Sequence, residues 1–277
     1  MDITDTPTPL TPEEADACLP LSKEAGWNQL AADWRMMLTQ GQGFAIRDVD
    51  GVPRASALAL PMGPRIGWIS MVLVTETIRR RGIGKLLMAT CIDWLESGGL
   101  VPFLDATPAG QPLYRTMGFA PVLDLRRMAG SGSGASDMTG LRPATADDLP
   151  WITALDREVF GGDRSEILAD LLNRGDAPAI VCVARDGFAL GRAGRTATQI
   201  GPVIAPDPAV AGHLVTAALA RTTGPVLIDA VARHPLGTLL TARGFTEQRP
   251  FLRMAKGRHD QIEDSARLFA AAGPELG

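Results

Sequence analysis

Ile69-Ser70-Met71-Val72-Leu73-Val74-Thr75-Glu76-Thr77-Ile78-Arg79-Arg80-Arg81-Gly82-Ile83-Gly84-Lys85-Leu86-Leu87 is the stretch on which the fold turns. Its apolar opening, within the segment Trp68 to Val74, predicts a buried strand. A tight turn follows, with glycines at 82 and 84 among basic residues. An amphipathic helix comes next, with Ile83, Leu86, Leu87, Cys91, Trp94 and Leu95 expected on its apolar face. Amides in the first turn of a helix have no intrahelical partner, and the helix dipole favours negative charge there. Glycine lets a ligand approach the backbone closely. The expected product is an anion cradle suited to a pyrophosphate. It is not the dinucleotide fingerprint, because position 87 is leucine.

Outward from this stretch, strands and helices alternate. Upstream, Leu30, Trp34, Met37 and Leu38 recur at helical spacing, and a hairpin runs from Phe44 to Leu60 around Asp50-Gly51. Downstream come a strand, Val101 to Ala106, a short helix around Tyr114 and then Gly118-Phe119. The class is mixed α/β.

The 277 residues suggest two domains. Gly130-Ser131-Gly132-Ser133-Gly134-Ala135-Ser136 reads as a linker, and the halves beside it resemble each other. Each opens on threonine and acids (Thr11-Pro12-Glu13-Glu14, Thr145-Ala146-Asp147-Asp148), carries an Asp-Gly hairpin signal and closes on Gly-Phe. The expected division is 1–129, a linker 130–139, 140–256 and a tail 257–277. Within the tail, Ile262 to Ala272 reads as a short helix.

Composition excludes several functions. The net charge of −4 argues against nucleic-acid partners. No apolar run reaches the ~18–20 residues of a membrane span, and Met1–Leu10 does not read as a signal peptide. Cys18, Cys91 and Cys182 are far apart and read as ordinary buried thiols of a reducing, cytoplasmic protein. His213, His234 and His259 are scattered, so no metal is expected.

Arg79-Arg80-Arg81-Gly82-Ile83-Gly84 matches the Arg/Gln-x-x-Gly-x-Gly/Ala signature of the GCN5-related N-acetyltransferases (GNAT), which the chain resembles over most of residues 12–128. A second motif lies about 30 residues on. Ala106-Thr107-Pro108-Ala109-Gly110-Gln111-Pro112-Leu113-Tyr114-Arg115-Thr116-Met117-Gly118-Phe119 resembles Asn-x-x-Ala-x-x-Leu-Tyr-x-x-x-Gly-Phe, with Thr107 in place of asparagine and Gly110 in place of alanine. The resemblance implies two tandem GNAT-like domains, each a mixed, mostly antiparallel sheet flanked by helices. It implies acetyl-coenzyme A as donor, held by Val72, Leu73, Val74, Arg79, Arg80, Arg81, Gly82, Ile83, Gly84, Lys85, Thr107, Gly110 and Tyr114. The Val72 N–H would meet the acetyl carbonyl and stabilise the developing oxyanion. Val74 would pair with the pantetheine arm, and Tyr114 would protonate the departing thiolate.

The second half lacks these parts. Its equivalent turn, Ala205-Pro206-Asp207-Pro208-Ala209, has no Gly-x-Gly, loses two amide donors to proline and adds a negative charge. Leu240 stands where the first half has Tyr114. It reads as a degenerate copy.

The acceptor implied is the amine of a small molecule, attacking the thioester directly. Trp27, Asn28 and Asp105 are the candidates for contacting it. Asp105 leads Glu24, Asp33 and Glu76 as the carboxylate that takes the amine's proton. A homodimer stays open. A non-catalytic acyl-coenzyme A sensor would use the same cradle without needing Tyr114 or an acceptor pocket.

Overall fold

A computed structural model describes residues 2–277. The chain divides into two compact units that part between Leu104 and Asp105.

The first unit runs β1 (Thr8–Leu10), α1 (Ala15–Glu24), α2 (Ala31–Gln40), β2 (Gln42–Arg47), β3 (Pro53–Pro61), β4 (Ile66–Val74), α3 (Ile83–Ser97) and the start of β5 (Val101–Ala106). Its strands lie in the order β1-β2-β3-β4-β5. All neighbours are antiparallel except β4 and β5, which run parallel. Trp34, Met37, Leu58, Leu60, Trp68 and Phe103 are wholly buried, and the Trp68 and Phe103 rings stack across β4 and β5. Burial of such side chains contributes about 1.5–3 kcal/mol each. α3 buries Ile83, Leu87, Met88, Cys91, Ile92 and Leu95. Leu86 and Trp94, expected on that face, are instead exposed. The helix carries apolar residues around more than half its circumference, and the stripe turned to the sheet is centred on Leu87 and Cys91.

The second unit continues with α4 (Gln111–Thr116), β6 (Phe119–Ser131), β7 (Leu141–Pro143), α5 (Leu149–Phe160), α6 (Ser165–Arg174), β8 (Ile180–Cys182), β9 (Phe188–Arg192), β10 (Thr198–Ile204), α7 (Pro208–Leu219), β11 (Pro225–Val231), α8 (Leu236–Ala242), β12 (Thr246–Lys256) and β13 (Leu268–Ala271). Its strand order is β12-β6-β11-β13-β10-β9-β8-β7. Leu214, Val215, Ile200, Ile228 and Phe269 lie in its core.

Two expectations change here. Gly130 and Ser131 end β6 rather than opening a linker, because they pair with Val226 and Pro225 of β11. β6 is also paired with β12 along Phe119–Ala129, so residues 119–131 belong to the second unit by compactness. The tail holds a strand and no helix between 262 and 272. Leu268, Phe269, Ala270, Ala271 and Ala272 are all fully buried, so this run has no polar face for a surface helix to turn to water.

The unit also buries arginines. Arg127 donates to both carboxylate oxygens of Asp229 at 2.8 and 2.7 Å, and Gln199 adds a third bond to that carboxylate. Arg164 forms the same fork with Asp156 at 2.9 and 2.8 Å. Planar, two-pronged pairing of this kind is how a buried guanidinium offsets its lost hydration.

All three cysteines are buried and free. Burial pushes the thiols of Cys18 and Cys182 up to about 12 and raises that of Cys91 as well, so none is a reactive thiolate.

Candidate active site

β4 is bent at one residue. Met71, almost fully buried, has φ of 50°, and the register with β3 shifts there: Ser56 faces Leu73 while Leu58 faces Ser70. Two residues of β4 thus oppose Ala57 alone, which defines a bulge. A non-glycine residue held at positive φ costs about 1–3 kcal/mol and persists only where its surroundings fix it. Ser56 supplies the brace, its hydroxyl donating to the Met71 carbonyl at 2.8 Å. Beyond the bulge Val72 and Val74 are half-exposed, with Leu73 buried between them. The pairing of β4 with β5 ends at Trp68 and Phe103. From Ile69 onward one edge of β4 therefore has no strand beside it among the described residues.

The turn after β4 is a short 3-10 segment, Glu76–Ile78, pinned by buried Ile78. Arg79 folds back, its Nε donating to the Val74 carbonyl at 2.9 Å while Nη1 reaches Glu76 at 3.3 Å. Arg80 also has positive φ, 62°. Gly82 precedes α3 at φ of 79°, a conformation that glycine adopts without penalty, and no side chain caps the helix. Gly84 is more telling. A β-carbon there would meet only the Val74 side chain, at 3.9 Å, so nothing in the protein requires glycine. A ligand lying on the backbone would. With Arg79, Arg80, Arg81 and Lys85 all exposed around the uncapped amides, these residues fit a pyrophosphate.

The loop between α1 and α2 is tied to this turn. Glu24, at the end of α1, accepts from the Thr75 hydroxyl at 2.5 Å and from the Glu76 amide at 2.6 Å. The Thr75 hydrogen bond, with that amide, holds its carboxyl below the usual range. Trp27 is half-exposed and its amide donates to Ser22. Asn28 is buried. Asp33 is buried too, accepting from the Leu30 amide at 2.8 Å to cap α2. Glu76 pairs with Arg79.

In the second unit, Tyr114 sits on α4, partly exposed, its ring tilted against Phe119 at 6.2 Å. Burial pushes its phenol up to about 12, so it stays protonated at neutral pH. A β-carbon on Gly110 would lie 2.7 Å from that ring, so glycine here makes room for the tyrosine. The Thr107 carbonyl accepts from the amides of Gly110 and Gln111 at 3.0 and 3.1 Å and starts the helix.

Asp105 is not available as a base. Its side chain is fully buried, and both oxygens accept from Arg253, at 2.8 and 2.9 Å. Arg253 also pairs with Glu263. Burial pushes the Asp105 carboxyl up against the pull of Arg253. Burial would lower Arg253, but the charges of Asp105 and Glu263 outweigh it and hold it above its usual value. This is a structural ion cluster, and Asp105, expected to face the acceptor, faces Arg253 instead.

The Asp207 side chain accepts from the amides of Ala209 and Val210 at 2.8 and 2.9 Å, capping α7 with the protein's own carboxylate. Leu240 is fully buried. Sequence reasoning missed Ser56 and Met71. The available signal was a lone hydroxyl in the apolar run Ala55-Ser56-Ala57-Leu58-Ala59-Leu60.

Both halves of the chain resemble known proteins. The acetyltransferase (GNAT) family profile matches residues 10–119, and an acetyltransferase (GNAT) domain profile matches residues 152–270. The chain belongs to the GNAT family as a tandem member, and it is an acyltransferase. It is 29% identical over 245 residues to the uncharacterized N-acetyltransferase YitH of Bacillus subtilis, covering 84% of this chain and 85% of that one. A Pyrococcus horikoshii crystal structure, described provisionally as an acetyltransferase, shares the fold at a TM-score of 0.82 and 18% identity, over 99% of this chain and 97% of the other. A tandem GNAT protein from the clavulanic acid biosynthesis pathway does so at 0.62 and 14%, over 92% and 98%. Among the described residues no helix is long and apolar enough to cross a membrane, and no cluster of His, Cys, Asp and Glu could hold a metal ion.

Proposed function

We propose that the chain is an acetyl-coenzyme A-dependent N-acetyltransferase whose acceptor is the amine of a small molecule. The observation that carries the donor is Gly84, a glycine that no protein atom demands, beside uncapped helix amides and four exposed cations. The amides of Ile83, Gly84 and Lys85 would hold the donor's pyrophosphate. The unpaired edge of β4 would hold its extended arm, and beyond the bulge at Met71 the Val72 N–H would stabilise the developing oxyanion. Amine nitrogen attacks the carbonyl carbon, the carbon–sulfur bond breaks, and the sulfur takes a proton from Tyr114. Asp105 and Asp33 are engaged structurally, and Glu24 and Glu76 hold the turn. The amine's proton therefore leaves to water, and water returns one to the Tyr114 phenolate. The loop at Trp27, held to the β4 turn by Glu24, lines the acceptor side.

The test is calorimetric titration with acetyl-coenzyme A. The native chain should bind, and Gly84→Asp should abolish binding without loss of thermal stability, since the new β-carbon meets only the Val74 side chain, at ordinary contact distance. Equal affinity in the two proteins would overturn the assignment. An amine panel assayed with the native protein then identifies the acceptor class.

A further inference from the structure

Strands β10 and β11 of the second unit repeat the behaviour of β4 and β5. They pair in parallel only over Thr198–Ile200 and Val226–Ile228 and then separate. Here the gap is filled. β13 enters it antiparallel to both, with Val203 facing Ala270 and Ile204 facing Leu268 on one side, and Asp229 facing Ala271 and Ala230 facing Ala270 on the other. The fit is close. A β-carbon on Gly201 would lie 1.9 Å from the Ala271 carbonyl oxygen, so β10 can carry no side chain where the tail backbone crosses it.

The segment beyond the strand is anchored by charge. The chain turns at Gly273, whose carbonyl accepts from the amides of Leu276 and Gly277. Glu275 pairs with Arg192, and Arg164 donates to the carbonyls of Leu276 and Gly277. Both arginines are buried, in β9 and just ahead of α6. Two buried guanidinium groups converging on one short peptide, and a strand gap shaped to its backbone, have the character of a recognition site.

We propose that the second unit retains a slot for an extended, backbone-bonding ligand and that Leu268–Gly277 is its internal occupant. The ligand class is a peptide with two large apolar residues, then two small ones where it crosses β10, and an acid four positions past the strand. Strand addition supplies affinity through main-chain hydrogen bonds, and the arginines select the acid. Asp207 fills the neighbouring helix terminus in the same way, so this unit is satisfied from within its own chain. The inference concerns the second unit and stands apart from the donor site of the first.

The test is peptide exchange. A protease site is introduced at the exposed residues 259–261, the full chain is cleaved there, and the nicked protein is passed over a sizing column. The released segment should co-elute. Mild urea should free it, and a fluorescent synthetic peptide of residues 261–277 should rebind the still-folded body. The peptide carrying Glu275→Gln should bind at least about tenfold more weakly, because a charge-assisted contact is lost. A body that unfolds on release, or stays folded and refuses the peptide, overturns the proposal. Hydrogen exchange on the intact chain is the second measurement. Amides 268–271 should open together ahead of β10 and β11; exchange only by global unfolding overturns it as well.

Discussion

Arg253 grips Asp105 from two nitrogens at once, at 2.8 and 2.9 Å, and both side chains are wholly buried. One arginine thereby holds a residue 148 positions earlier in the chain together with Glu263, ten positions later. Asp105→Asn takes one acceptor from the buried Arg253 guanidinium, while Glu263 still balances its charge. The change should cost about 1–3 kcal/mol of stability, read as a lowered urea midpoint. Turnover per folded molecule should stay close to native. A stable variant without activity would return Asp105 to the reacting centre.

Ser56 is expected to act through the shape of β4. Ser56→Ala leaves the buried Met71 carbonyl unpaired, at about 1–3 kcal/mol. If the bulge relaxes, the Val72 amide swings away and kcat should drop while coenzyme affinity holds, since the glycine turn is untouched. Ser56→Thr, which keeps the hydroxyl, should recover part of the loss. Parallel titration and steady-state kinetics separate the two effects.

Tyr114→Phe should bind coenzyme normally and lose about 10²–10⁴-fold in kcat, the usual range for a positioned acid. With its phenol pushed up to about 12, Tyr114 should impose no alkaline limb on the rate below about pH 11. Gly110→Ala should imitate the phenylalanine variant by displacing the ring it would meet at 2.7 Å. Native turnover in both variants would remove the tyrosine from the chemistry.

Asp148 offers a pH test. Arg142, which donates twice to it, holds its carboxyl far below the usual range, helped by Trp151 and the Thr145 amide. A depressed folded value means that the stabilisation is complete above the unfolded pKa of about 3.9 and is lost as pH falls through the folded value. Asp148→Asn should therefore unfold more easily than native at about pH 6. The gap should narrow at about pH 3, where the native carboxylate begins to give up its advantage. Urea titrations at the two pH values decide it.

Local features were readable from sequence. The strand, glycine turn and helix from Ile69 to Leu87 are contiguous, so hydrophobic periodicity and helix-start chemistry placed them directly. The capping residues Thr11 and Thr145 were legible for the same reason. What failed depends on distant partners. Asp105 sits at the end of a strand with nothing nearby to announce Arg253. Residues 268–272 lack the alternation of a half-buried strand because both faces are covered, and short apolar runs of that kind read equally well as helix. Met71 itself gives no sign, since the hydroxyl that braces the bulge belongs to Ser56 on the adjoining strand.

The placement of β6 matters while the protein is being made. This strand is synthesised complete by residue 131, yet its two neighbours begin only at residues 225 and 246. On the ribosome it must wait, unpaired on both edges, through the synthesis of most of the second unit. The charges at Asp124, Arg126 and Arg127 interrupt its apolar residues and discourage it from joining strands of other nascent chains during that interval. An expression fragment cut at the glycine-serine stretch would leave β6 orphaned on one piece and open a hole in the sheet of the other.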